Sequence, residues 1–62
     1  MNIIPFDIMR KCTEILSNPE YSEKTSHAKL LDYLFECAEN NKITMEDAFD
    51  LALSLMLSWR KS

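Results

Sequence analysis

Not one glycine occurs among the 62 residues. Tight β-hairpins favour Asn-Gly or Asp-Gly turns. Phosphate-cradling loops and dinucleotide fingerprints are likewise built on glycine. A chain without it is steered away from all three, and what remains is helical periodicity, interrupted at Asn18-Pro19 and at Asn40-Asn41. Length narrows the choice again. A domain of about 60 residues buries only about 60% of the surface its unfolded chain exposes. Ordering costs about 1.5 kcal/mol per residue, so burial and entropy nearly cancel. One core over residues 1–62 is expected, marginal as a lone chain. Rossmann folds, α/β barrels and hydrolase sheets need far more chain.

The first apolar stripe is Ile8, Cys12, Ile15 and Leu16, spaced i, i+4, i+7 and i+8 with Met9 beside it. Pro5 suits the first helical position, where a missing N–H is no loss. Asn18 precedes Pro19 and is pushed out of the α region. A helix over 6–17 follows. The polar stretch from Asn18 to Ser26 holds several candidate N-caps. The clear part of a second helix runs over 26–39, with His27, Leu30, Leu31, Leu34, Phe35 and Ala38 on one side. Asn40-Asn41 closes it, Asn being the usual substitute for glycine at a left-handed helix end.

The third helix, over 45–60, has the clearest start. Thr44 is its N-cap, and Asp47 three residues on approximates a capping box. Ile43 and Ala48 take the two staple positions. Glu46 and Asp47 put negative charge at the positive end of the helix dipole, and Arg60 and Lys61 put cations at the other end. Met45, Ala48, Ala52, Leu55 and Trp59 form one seam, widened by Phe49 and Met56. Leu51, Leu53 and Leu57 then lie outside that seam, so the apolar arc covers roughly two-thirds of the circumference at about 100° per residue. Two shorter helices cover one broad face of such a helix, and the rest would form a patch of the kind that marks interfaces. The expected architecture is therefore all-α: a three-helix chain forming a helical bundle as a homodimer, two-fold pairs being the commonest assembly. The expected dimer interface is Leu51, Leu53, Leu55, Met56, Leu57 and Trp59.

Candidate chemistry is thin. Seven Lys+Arg against ten Asp+Glu give a formal charge of −3, and nucleic-acid binders usually carry a basic footprint. Lys24, His27 and Lys29, near the start of the second helix, could serve a helix-turn-helix DNA reader. The third helix would be its recognition helix, and it begins Met45-Glu46-Asp47, the wrong charge to meet phosphate. DNA binding stands as the alternative. Glu36, Glu39, Glu46, Asp47 and Asp50 flank the second turn and would steer association if they gathered into one acidic end facing a basic partner. Cys12 and Cys37 fall in core positions and are expected as buried free thiols. Cys12, His27 and Cys37 lack the close ligand pairs of structural zinc. Cys12, His27 and Asp32 match no nucleophile motif. No catalytic residue, metal or cofactor is expected, and the chain is not expected to be an enzyme.

The opening Met1-Asn2-Ile3-Ile4-Pro5-Phe6-Asp7 lacks the positive n-region of a signal peptide. The longest uncharged run, Leu51 to Trp59, spans nine residues, whereas a membrane span needs about 20. A cytoplasmic location is expected.

With its short length, three helices, a leucine-rich last helix ending Ser58-Trp59-Arg60-Lys61 and no catalytic signature, the chain resembles the small all-helical accessory proteins of lambda-like temperate phage early regions. That resemblance implies a modulator of a host or phage process acting through protein contacts. It transfers no functional residue. The function expected is that of a small non-enzymatic regulatory or adaptor protein, with itself and an unidentified protein as partners.

Overall fold

The computed structural model describes residues 4–59. Three helices follow one another: α1 (Phe6–Ser17), α2 (Glu23–Glu39) and α3 (Met45–Ser58). Each boundary has a local cause. Pro5 stands in extended conformation just outside α1, and its carbonyl accepts from the N–H groups of Ile8 and Met9 at 3.1 and 3.2 Å. Proline thus takes the cap position rather than the first helical one. At the other end Asn18 is extended, as a residue before proline should be, and its Oδ1 accepts from the Glu20 N–H at 2.8 Å. That side-chain turn replaces the next turn of helix.

α2 begins three residues earlier than the sequence signals. Ser22 is the N-cap, its Oγ accepting from the Thr25 N–H at 3.1 Å. The added residues Glu23, Lys24 and Thr25 are polar and exposed, and Ser26, which follows them, is buried and donates its hydroxyl to the Glu23 carbonyl at 2.9 Å. It carries no apolar periodicity, which is why the sequence hides it. α2 ends in a Schellman motif: the Asn41 N–H donates to the Ala38 carbonyl at 3.1 Å and the Lys42 N–H to the Cys37 carbonyl at 2.9 Å. Asn41 takes the left-handed position, φ 61°. Thr44 caps α3 as expected, its Oγ1 accepting from the Asp47 N–H at 3.0 Å. α3 stops at Ser58, with Trp59 extended. The expected helical position of Arg60 lies outside the described residues, as does the expected role of Lys61.

Connections of five residues, 18–22 and 40–44, are short enough to make sequential helices antiparallel neighbours. α2 packs against both flanking helices, whereas no Cα of α1 comes within 8 Å of one in α3. One apolar cluster runs through all three: Ile8, Cys12, Ile15 and Leu16 from α1, Leu30, Leu34 and Cys37 from α2, and Ala48, Leu51 and Ala52 from α3, with Ile43 from the second connection. The described body measures 32 × 19 × 18 Å.

Candidate interaction surface

On α3 the face turned to the core is Ala48, Leu51 and Ala52, with Leu55, Met56 and Trp59 half-buried beside it. Leu51, expected at a dimer interface, is only 6% exposed within one chain. It is a core residue, and that expectation is corrected. The cause is the small size of Ala48 and Ala52. Their methyl groups leave room beside them, and Leu51, about 60° from Ala48 on the other side from Ala52, is buried with them. The core arc is thereby turned by roughly 25° from the seam drawn through Met45, Ala48, Ala52, Leu55 and Trp59.

Turning Leu51 inward turns other apolar residues outward. Met45, Phe49, Leu53 and Leu57 are 47, 50, 55 and 77% exposed. They recur every four residues, so each lies about 40° further round the helix than the last. The result is a winding apolar stripe about 18 Å long. Phe49 also closes the α2–α3 seam from outside: its ring meets that of Phe35 edge-on, centroids 5.2 Å apart. Edge-to-face aromatic pairs contribute about 0.5–1.5 kcal/mol beyond area burial. Of the residues expected at the interface, Leu53 and Leu57 are exposed, whereas Leu55, Met56 and Trp59 are half-buried against the core. Met45 and Phe49, assigned to the core seam from sequence, join the outer stripe instead. Their four-residue spacing to Leu53 and Leu57 was the available signal.

The five carboxylates occupy different settings. Glu36 lines a groove on the α1 side of α2, with Lys11, Lys29 and Tyr33, whereas Glu46 and Asp50 are exposed on α3. Glu39 is exposed at the end of α2. Asp47 is 6% exposed and lines a separate cavity. The candidate nucleic-acid residues are similarly dispersed. Lys24 and Lys29 stand about 140° apart around α2. Lys29 Nζ sits 5.1 Å from the Tyr21 ring centroid, a cation–π distance, and His27 is half-buried.

Cys12 and Cys37 are free, buried thiols. Burial, and then the neighbouring Cys37, push the Cys12 thiol up from 9.0 to about 11. It stays protonated near neutrality, and a thiol is a poor nucleophile without its thiolate. Tyr33 is raised to about 12, by burial first and then by its bond to Cys37. Among the described residues no group of three or more His, Cys, Asp or Glu is placed to hold a metal ion. No helix there is long and apolar enough to cross a membrane. No protein-family model, curated protein or solved structure matches the chain.

Proposed function

We propose that the protein is a small non-enzymatic binding protein of regulatory or adaptor type, and that the outer face of α3 pairs it with a second copy. The supporting observation is the stripe of Met45, Phe49, Leu53 and Leu57, left 47–77% exposed by a single chain. Fully burying a large aliphatic or aromatic side chain is worth about 1.5–3 kcal/mol, a large quantity for a domain of this size. A continuous apolar stripe is the surface that a two-fold partner covers most simply, because each copy offers the other what it needs. The phage-accessory resemblance points the same way, to action through protein contacts.

Sedimentation of the wild type against Leu53→Glu and Leu57→Glu tests the pairing. The expected result is a dimer for the wild type and a monomer of unchanged helicity for both variants. A wild type that sediments as a monomer up to about 100 μM, well above the micromolar Kd of even a modest interface, removes the pairing.

A further inference from the structure

At the α2–α3 corner lies a cavity of about 380 Å³. Its apolar wall is Ala38, Ile43 and Met45, and its polar lining includes Thr44 and Asp47. Asp47 is 94% buried. Its backbone N–H is taken by Thr44, but no hydrogen bond or ion pair from a described residue reaches its carboxylate. No side-chain oxygen among the described residues is sealed off without a partner, so this carboxylate keeps its opening to the cavity. Through that opening the carboxylate meets water, and a cation entering the cavity would find no described side chain competing for it.

We propose that this cavity receives an arginine side chain from a partner protein, the guanidinium meeting the Asp47 carboxylate and the methylene stem lying against Ala38, Ile43 and Met45. Three observations select that occupant. The unmet charge is negative, and the exposed Glu46 and Asp50 on the same helix add to the attraction. A carboxylate accepts the guanidinium fork bidentately, which lysine cannot reproduce. The apolar wall suits a long alkyl stem that ends in charge. An anion would find free N–H groups in the first turn of α3, but it would face Asp47 and Glu46 as well. Lys42 also lines the cavity and works against the guanidinium. The proposal rests on the reading that the chain acts through protein contacts, but it needs neither the α3 stripe nor the dimer.

The test is an NMR titration of amide shifts with the capped tripeptide Ala-Arg-Ala and with the same peptide carrying citrulline, the uncharged isostere. Saturable shifts at Asn41, Thr44, Met45 and Asp47 are expected with arginine and not with citrulline. Asp47→Asn, which keeps the backbone bond to Thr44, should weaken binding by about tenfold or more, as loss of a charge-assisted pair does. Lys42→Ala should strengthen it, by about twofold, through lost repulsion between like charges. Equal shifts with the two peptides, or no saturation by about 10 mM (a Kd that would signal negligible recognition), overturn the proposal. Should Asp47→Asn fail to fold, Lys42→Ala decides: affinity that is unchanged or lower overturns it. The oligomer measured by sedimentation reports separately on the α3 stripe.

Discussion

Asn41 is held at φ 61° so that α2 can close its Schellman motif and turn into the 40–44 connection. For an L-residue with a Cβ the left-handed region costs about 1–2 kcal/mol, and Asn tolerates it because its short side chain bonds locally. Glycine would hold that conformation without strain. Asn41→Ala is therefore expected to destabilise by about 1 kcal/mol and Asn41→Gly to be neutral or stabilising. For a domain of this size 1 kcal/mol corresponds to a shift in Tm of about 4–8 °C. Thermal unfolding followed by circular dichroism measures it, and an alanine variant as stable as the glycine one would refute the account. The same residue shows how far single positions were legible. A paired Asn in a chain without glycine has few other uses than a left-handed helix end. Thr44 was equally plain, because a hydroxyl before Met45-Glu46-Asp47 matches what unsatisfied N–H groups and a helix dipole require. The burial of Asp47 was not, since it depends on where the 40–44 connection lies.

At the scale of elements, helix existence was legible and helix orientation was not. Period-3.6 apolar spacing marks α1 unambiguously, and the boundaries Phe6–Ser17 follow from Pro5 and Asn18-Pro19. α2 lost its first turn in the sequence because Ser22, Thr25 and Ser26 are all acceptable caps, and only packing decides that Ser26 is buried. α3 carries too many apolar residues for periodicity to say which face points inward. Packing settles it: Ala48, Leu51 and Ala52 are the apolar residues of α3 that are buried. That orientation has a direct test. In a Leu57→Glu background, chosen to keep the chain monomeric, Leu51→Ala should cost about 2–5 kcal/mol, the usual penalty for truncating a buried leucine. Leu53→Ala should stay within about 0.5 kcal/mol, as exposed substitutions do. Urea unfolding of the two variants gives the comparison. Equal losses would mean that α3 is rotated from the position described.

At the scale of the whole molecule, α2 is the common support. α1 and α3 each pack on it, and no Cα of one comes within 8 Å of a Cα of the other. The outer side of α3 carries Phe49, Leu53 and Leu57 without cover, and a second copy would supply the missing layer. Rows of residues four apart form ridges that interlock with the same rows of a partner at about −50°. The stripe of Met45, Phe49, Leu53 and Leu57 is such a row. If the native state is a dimer, stability must depend on concentration, because unfolding then releases two chains. A tenfold rise in protein concentration favours the dimer by about 1.4 kcal/mol. Spread over an unfolding entropy of about 2.1 cal/mol/K per residue for two 62-residue chains, that is a rise in Tm of about 5 °C. Calorimetry of the wild type across two decades of concentration should show that slope, and Leu57→Glu should show none. A wild-type Tm that stays level over the same range would mean that one chain is the complete folding unit and that the α3 stripe is left for a different protein to cover.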